Sequence, residues 1–510
     1  MKFELLHILS LITAVIEGLF FTGLIFGWSS ISFVLKQEGY FSLYCSSGSL
    51  NTSTLTNTSS NITGTTSTAN PTCTVQEESI NLVFTIASVA LSFSTLPNGA
   101  IFDHFGTWVA RVFAILLFTC GCVLVSVSSI ATSWMLYPAM CCLAVGGILM
   151  LLTNMQLGNL FGPARSSVIT LLNGALDSSS FVFLLVKLAY DQGIHLSTIF
   201  QFIAICSIFQ WARTILLLPK MHIPFPLPKG KFQYGLHDCK TNATNLDNDD
   251  PSKIQLQESG NDETETKKEP VTADSDTVTF ISCVKCVKFW TNLMHLSILQ
   301  LRNYFFLGTF VTWMDGLLSA GSNELGGYIN VFGICQFFGV LTAPLNGFLI
   351  DGTKKWFSKS TSDPAIASAK AVSVSAFTTS LLGVLFSLIV AIPIAPIQYI
   401  SFVLQVVFRS FLYGGNASFI AFSFPVQHFG KLYGLTMTLG GVVALLQFPL
   451  FSLVLRALNK DFTSVNIAYI IICALTSIHP ALLYWSSVKK EKKLKSKPKS
   501  VEKENLTANC

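Results

Sequence analysis

Long runs of apolar residues recur along the chain and constrain its fold more than any other feature. Hydrophobic residues make up 51% of the sequence and charged residues 12%, about half the charged share of an ordinary soluble protein. Crossing a hydrocarbon layer of about 30 Å takes about 20 apolar residues per helix. Because that layer holds no water, only helices and closed barrels satisfy their backbone groups within it. The runs are too long and too continuous for barrel strands, so the sequence predicts an all-α membrane protein.

The runs predict twelve spanning helices, six before and six after a long polar segment. The first six lie near 7–34, 80–102, 108–130, 135–161, 167–190 and 197–218. The second six lie near 293–318, 328–350, 370–392, 398–422, 433–456 and 465–486.

The polar segment between the sixth and seventh spans divides the chain. Its composition is rich in Asn, Asp, Glu, Lys, Ser and Thr, which is typical of a disordered linker. We therefore expect four parts: a six-helix bundle at 1–218, a largely disordered loop at 219–292, a second bundle at 293–488 and a basic tail at 489–510.

Lysine and arginine collect in the central segment, in the 351–369 loop and in the tail, whereas loops 131–134, 319–327 and 393–397 have none. Since these residues accumulate on the cytosolic side, both termini are expected in the cytosol. The basic tail suits contact with anionic membrane lipid. The sequence thus predicts a multi-pass protein of the plasma membrane.

The loop at 35–79 then lies outside the cell. It contains three acceptor sequences for N-glycosylation, at Asn51, Asn57 and Asn61, so we expect a glycoprotein. Of the 13 cysteines, only Cys45 and Cys73 are predicted to face an oxidising space. A disulfide between them is therefore expected, the alternative being two free thiols.

A short motif at the end of the second span recurs at the end of the eighth. PNGAIFDHFG occupies 97–106 and PLNGFLIDG occupies 344–352. Both contain Asn-Gly, three apolar residues and Asp, and their Gly99 and Gly347 permit close approach of a neighbouring backbone. Two copies at equivalent positions indicate an internal duplication of a six-helix unit.

Charged residues around this motif predict a gate. Asp103 and Asp351 stand where a new helix is expected to begin, so each carboxylate can cap free N–H groups. Arg111 follows on the third span, where a salt bridge that forms in one state and breaks in another would bias a rocking motion. Arg165 and Lys431 occupy matching cytosolic loops of the two halves. The simpler interpretation is a topological stop with a helix cap.

Three charged residues fall near the middle of predicted spans: Glu17, Asp177 and Arg409. Such charges cost about 2.5 to 3.5 kcal/mol on insertion scales and usually face a cavity or a partner. One interpretation pairs Glu17 with Arg409 across the halves. Asp177 is expected to stabilise packing through the serines that follow it. Lysine and arginine nearer the span ends are expected to reach the membrane surface; these are Lys187, Arg213 and Arg302.

The turn motif resembles the cytosolic loop motif of the major facilitator superfamily through Gly99, Asp103, Gly106 and Arg111. A closer resemblance, to solute carrier family 43, covers nearly the whole chain. The segments that carry it are FGW at 26–28, NLFG at 159–162, NGALDSSS at 173–180, HIPFPLP at 222–228, RSFLYGGNASF at 409–419 and FPVQHFGKLYGL at 424–435.

This resemblance implies a major facilitator fold with two pseudo-symmetric six-helix bundles and a carrier that needs no sodium. The family contains carriers of large neutral amino acids and an equilibrative carrier of purine nucleobases, and HIPFPLP and RSFLYGGNASF resemble the nucleobase branch. Residues on the first, fourth, seventh and tenth spans are then expected to line the path. As groups that contact the substrate we expect Glu17, Asn154, Gln156, Trp313, Arg409 and Asn416.

The function that follows is equilibrative transport of adenine, guanine or hypoxanthine by alternating access. A flat base calls for an aromatic stacking surface and for amide or carboxylate contacts at its edge. One alternative is a carrier of large neutral amino acids; another is a non-transporting regulator of lipid or fatty acid flux. We expect no enzyme, cofactor, metal or nucleic-acid partner, because no nucleophile, metal set or phosphate loop has a usable spacing.

Overall fold

The computed structural model of the chain describes residues 2–46, 73–223, 279–318, 324–361, 363–425 and 428–496. The three predicted glycosylation sites, most of the central loop and the end of the basic tail lie outside these residues.

The described residues fold into helices joined by short turns. In the first half the α-helices are Lys2–Glu17, Trp28–Gln37, Leu43–Ser46, Thr74–Val127, Leu136–Met155, Arg165–Ser178, Phe181–Asp191 and Leu196–Leu217. In the second half they are Phe280–Lys285, Val287–Leu317, Leu325–Phe337, Gly339–Ser358, Pro364–Ala391, Gln398–Ser423, Phe429–Ala444, Gln447–Arg456, Thr463–Leu475 and Ile478–Ser496.

Nine helical stretches of the described chain are long and apolar enough to cross a membrane, or ten if one bent pair forms a single span. The 54-residue helix Thr74–Val127 contains two spans, because the chain turns within it. The 31-residue helix Val287–Leu317 has polar residues at its centre and is also long enough. The predicted twelve spans are thus accounted for, and we number them 1 to 12 in chain order.

Gly106 makes the turn between spans 2 and 3. Its φ of 78° lies in the left-handed region, which glycine enters without a steric penalty. The turn is held from the end of the sixth span: Thr107 Oγ1 donates to the Met221 carbonyl over 2.8 Å, and the Trp108 N–H donates to the Lys220 carbonyl over 3.1 Å. Because the turn needs no loop, these two spans form a rigid hairpin.

Spans 1 and 8 are interrupted along their length. After Glu17, span 1 passes through a π-helical turn at Gly18–Thr22 and a 3-10 turn at Leu24–Gly27 before it resumes as an α-helix. Span 8 bends by 48° between its helices, which end at Phe337 and begin again at Gly339. Such breaks leave backbone groups without their usual helical partners.

The repeated Asn-Gly motif ties helices together in both halves, mainly through its asparagines. Asn98 donates to the Val145 carbonyl of span 4 over 3.3 Å, and Asn346 accepts from Ser375 of span 9 over 2.5 Å. The predicted close approach at the glycines is wrong, since no described atom lies within 4 Å of a Cβ added at Gly99. The same holds for Gly347.

The predicted helix caps are also wrong. Asp103 and Asp351 are exposed and lie inside helices, because the chain does not leave its helical conformation until after them. Arg111 bonds to Glu17 and Thr214. Lys431 and Arg165 were expected in loops, but Lys431 is exposed within the helix Phe429–Ala444 and Arg165 is the first residue of the helix Arg165–Ser178.

The two halves pack against each other through spans 2 and 11 and through spans 5 and 8. We call the end of the bundle that carries Cys45 and Cys73 the disulfide face. The predicted disulfide is confirmed, with the two Cα atoms 6.0 Å apart.

Ion pairs join the halves at the disulfide face. Glu77 of span 2 lies 3.2 Å from Lys36 of span 1 and 3.2 Å from Lys460, which follows span 11. Beside it, Arg456 of span 11 donates two hydrogen bonds of 2.6 Å to Glu78. Ion pairs between span 2 and the end of span 11 therefore link the two halves at the disulfide face.

A second group of charges lies inside the first half. Glu17 is fully buried and pairs with both Arg111 of span 3 and Arg213 of span 6. Asn154 of span 4 donates to the carboxylate over 3.0 Å and accepts from Arg213 over 2.7 Å. One carboxylate thus holds four of the six spans together. The pairing of Glu17 with Arg409 considered above is wrong.

Lys187, Arg213 and Arg302 do not reach the surface, contrary to expectation, since each is at most 2% exposed. Arg302 lies in the second half with its guanidinium carbon 4.7 Å from the ring centre of Phe386 and 5.0 Å from that of Tyr469. The rings compensate its charge, because an aromatic face attracts a cation.

We predict that Glu17→Gln destabilises the protein by about 3 to 5 kcal/mol, because it leaves two buried guanidinium groups without a carboxylate. Arg213→Gln is expected to cost less, since Glu17 and Arg111 remain paired one to one. Thermal unfolding of purified protein in detergent measures both effects. Glu324→Gln is the matched control at an exposed carboxylate, and an equal effect of Glu324→Gln and Glu17→Gln would exclude a structural role for the cluster.

Candidate functional site

Four consecutive residues of span 5, Asp177 to Ser180, lie where the two halves meet. They come from the NGALDSSS segment and are each at most 9% exposed. At this point the helix that ends at Ser178 gives way to the helix that begins at Phe181. Because the chain turns there, the four side chains point to four different neighbours.

Two of these serines form hydrogen bonds with backbone groups at the breaks in spans 1 and 8. Ser178 Oγ donates to the Phe337 carbonyl over 2.6 Å and accepts from the Val340 N–H over 2.8 Å, which bridges the break in span 8. Ser179 Oγ accepts from the Gly23 N–H over 2.6 Å at the break in span 1. A Cβ on Gly23 would collide with the Leu176 carbonyl. Span 5 therefore supports both breaks from the interface.

Asp177 pairs with Arg409 of span 10 across the halves. Arg409 Nη2 lies 2.9 Å from Asp177 Oδ1, and both side chains are nearly buried. On its other side the guanidinium stacks on Phe26 of span 1, with its carbon 3.7 Å from the ring centre. A flat, hydrogen-bonding group thus already rests on an aromatic face at the centre of the protein.

Aromatic and polar residues surround this pair. Tyr304 of span 7 has its ring centre 6.3 Å from that of Phe26, and its hydroxyl lies 3.3 Å from Ser92 Oγ of span 2. Gln336 of span 8 accepts from Arg409 over 3.4 Å. Tyr413, one turn beyond Arg409, directs its hydroxyl toward Tyr304 without the geometry of a hydrogen bond. Spans from both halves therefore contribute to one polar, aromatic centre.

Two polar atoms at this centre are buried without a hydrogen-bond partner among the described residues. They are Arg409 Nε and the Tyr413 hydroxyl. Buried polar groups normally find partners, so this set is suited to a ligand that supplies both acceptors and an aromatic surface. We take the residues Phe26, Asp177, Tyr304, Gln336, Arg409 and Tyr413 as the central site.

Of the residues proposed from the sequence, only Arg409 and Asp177 lie at the central site. Glu17 and Asn154 lie inside the first half. Gln156 accepts from the backbone N–H of Ile223 over 3.0 Å and bonds to Thr107, at the end of the bundle opposite the disulfide face.

The remaining two lie inside the second half. Trp313 packs against the ring of Phe306, with centres 5.5 Å apart. Asn416 accepts from Asn292 of span 7 over 2.8 Å and donates to Thr436 of span 11 over 3.4 Å.

Phe26, Tyr304, Gln336 and Tyr413 were not selected from the sequence. Phe26 is one of 42 phenylalanines, and its position in the FGW segment was its only signal. Gln336 and Tyr304 sit in ordinary apolar runs, so their roles become visible only once the halves are packed together. No three His, Cys, Asp or Glu residues in the described part of the chain are grouped so as to hold a metal.

Comparison with known proteins gives the same architecture. Residues 18–369 match the Major Facilitator Superfamily. Equilibrative nucleobase transporter 1 of Bos taurus is 41% identical over 95% of this chain and 97% of its own length. Large neutral amino acids transporter small subunit 3 of Homo sapiens is 30% identical over 93% and 92%.

Among solved structures, a peptide transporter POT mutant in complex with alafosfalin superposes with a TM-score of 0.52 at 14% identity, over 93% of this chain and 95% of that one. At that identity the likeness bears on the fold alone. With its two six-helix halves, its repeated turn motif and these matches, the chain belongs to the Major Facilitator Superfamily.

Proposed function

We propose that the protein carries purine nucleobases such as adenine, guanine and hypoxanthine down their gradient, and that the base binds at the central site. The observation that carries the proposal is the Asp177–Arg409 pair on the face of Phe26, because it combines an aromatic ring that holds a flat group with hydrogen-bonding groups. Pockets for flipped bases combine these same two elements. The 41% identity to a nucleobase transporter favours the same substrate.

The position of the pair supports alternating access. Asp177 belongs to one half and Arg409 to the other, so a ligand bound against this pair contacts both halves at once. In this structure ion pairs at the disulfide face link the two halves on one side of this pair. A ligand shifts such an equilibrium only by its differential affinity for the two states, so similar binding in both states suits an equilibrative carrier.

The residues placed away from the central site keep a supporting role in this proposal. The cluster of Glu17, Arg111 and Asn154 keeps the first half rigid while it moves. Trp313 and Asn416 do the same in the second half.

An amino acid substrate is the second candidate, since a relative at 30% identity carries that name. An amino acid needs a cation and an anion partner, and Arg409 and Asp177 provide both charges. In this structure, however, these two charges compensate each other across 2.9 Å. A neutral base leaves that pair intact, whereas an amino acid would have to separate it. A regulator of lipid flux remains a third function, which uptake by purified protein in liposomes would exclude.

We further propose that the protein resides in the plasma membrane with both termini in the cytosol and the disulfide face outside. The lysine and arginine distribution and the Cys45–Cys73 disulfide support this orientation, because disulfides form in oxidising compartments.

Cells that express the protein should take up radiolabelled adenine, and excess hypoxanthine should inhibit this uptake while excess leucine does not. Replacement of sodium by choline should leave the rate unchanged, because no coupled ion is expected. Untransfected cells give the background. Inhibition by leucine as strong as that by hypoxanthine would favour the amino acid carrier instead.

Phe26→Ala should raise the half-saturating concentration of adenine by about 5- to 140-fold, since base–aromatic stacking contributes about 1 to 3 kcal/mol per base. Phe26→Tyr keeps the ring and is the matched control. Uptake is normalised to the amount of protein at the cell surface. If both variants behave like the unaltered protein, the base does not stack on this residue.

The orientation predicts which asparagines carry glycans. Joint replacement of Asn51, Asn57 and Asn61 by Gln should abolish the mobility shift that a glycosidase produces on a denaturing gel. Replacement of Asn242 and Asn505, whose acceptor sequences lie on the predicted cytosolic side, should leave that shift unchanged. The opposite pattern would reverse the proposed orientation.

A further inference from the structure

A chain of three amide side chains leads from the central site into the second half. Gln336 of span 8 donates through Nε2 to Gln405 Oε1 of span 10 over 2.8 Å. Gln405 in turn donates through Nε2 to Asn303 Oδ1 of span 7 over 2.9 Å. All three side chains are at most 2% exposed, so no solvent competes for these bonds. We call these residues the amide chain.

Arg409 fixes the direction of every bond in the amide chain. A guanidinium has donors and no acceptor, so the Gln336 atom that faces Arg409 Nη1 must be the carbonyl oxygen. The amide nitrogen of Gln336 then faces Gln405, which must offer its own oxygen. The same reasoning orients Asn303. A reversed chain would place an N–H against the guanidinium, which is why Gln336 presents a fixed acceptor to the central site.

That acceptor is weakly engaged. The Gln336 oxygen lies 3.4 Å from Arg409 Nη1 and 3.3 Å from Ser180 Oγ, both longer than the usual range for such bonds. Next to it, Arg409 Nε is buried without a hydrogen-bond partner, while Nη2 is held by Asp177. The central site therefore places one weakly engaged acceptor beside one available donor, on two residues that contact each other.

We infer that Gln336 and Arg409 read the edge of the base as a pair, and that Gln405 and Asn303 position Gln336 for this task. Gln336 accepts an N–H of the base, and Arg409 donates to the neighbouring acceptor. This inference rests on the proposed nucleobase function. Adenine offers its 6-amino group beside N7, whereas guanine and hypoxanthine offer N1–H beside O6. All three bases thus present an adjacent donor and acceptor, which explains how one site takes them all.

The test compares adenine with 6-methylpurine, in which a methyl group of similar size replaces the amino donor. Both unlabelled compounds compete with radiolabelled adenine for uptake, and the ratio of their half-inhibitory concentrations measures the contribution of the donor. For the unaltered protein 6-methylpurine should be weaker by about 5- to 100-fold, because a buried acceptor left without its partner is costly. Gln336→Met should bring the ratio close to one, and Gln336→Glu, which keeps an acceptor, should retain it.

The positioning role is tested on Gln405. Gln405→Leu removes the partner of the Gln336 amide nitrogen and should lower the ratio by about 2- to 12-fold, because a typical hydrogen bond contributes about 0.5 to 1.5 kcal/mol net. Gln405→Glu restores an acceptor in either protonation state and should restore the ratio. Gln398→Leu is the matched control, because this glutamine lies on the same span, is fully buried and donates to the carbonyl of Ile392 over 2.7 Å, away from the site.

Where a variant no longer transports, adenine and 6-methylpurine are compared through the thermal stabilisation that each gives the purified protein. Failure of the unaltered protein to take up adenine would overturn the proposed function. If the protein takes up adenine but neither Gln336→Met nor Gln405→Leu changes the ratio, Gln336 does not recognise the edge of the base. The proposed transport function would still stand. If Gln398→Leu lowers the ratio as much as Gln405→Leu does, the amide chain has only a structural role.

Discussion

A backbone group inside a lipid bilayer has no water to bond to, and the central part of this structure depends on how that constraint is met. Spans 1 and 8 are both broken, and the hydroxyls of Ser179 and Ser178 supply the partners at the two breaks. One turn of span 5 therefore stabilises irregular backbone in both halves. Irregular backbone in a membrane is tolerated where protein buries it or where it lines a cavity, and here it borders the Asp177–Arg409 pair.

The buried charges divide into two kinds according to the halves they join. Glu17 and its two arginines all belong to the first half, so a movement of the halves leaves these pairs unchanged. Asp177 and Arg409 belong to different halves, so the same movement changes the geometry between them. Removing one partner of a buried pair is costly. The Glu17 cluster therefore keeps the first half rigid as it moves. The Asp177–Arg409 pair couples the movement of the halves to the ligand at the central site.

Much of the fold followed from the sequence, because apolar runs, turn motifs and lysine-rich loops are local signals. The twelve spans, the duplicated halves and the cysteine pair were predicted in this way. The pairing of charges was not, since Glu17, Arg213 and Arg409 all lie in apolar helices, and their partners depend on helix rotation and packing. Arg213 was expected to reach the surface, yet it turns inward because Glu17 is within its reach. Phe26 was chemically indistinguishable from the many phenylalanines that face lipid or fill the core.

The Cys45–Cys73 disulfide has a mechanical consequence for a carrier whose halves move. Its two cysteines lie at the ends of spans 1 and 2, within one half, and their Cα atoms are 6.0 Å apart. The segment between them is thus a closed ring anchored to a single body. Because both ends of this ring belong to one half, separation of the halves does not stretch it. A longer or bulkier segment between the two cysteines would therefore not resist the movement of the halves.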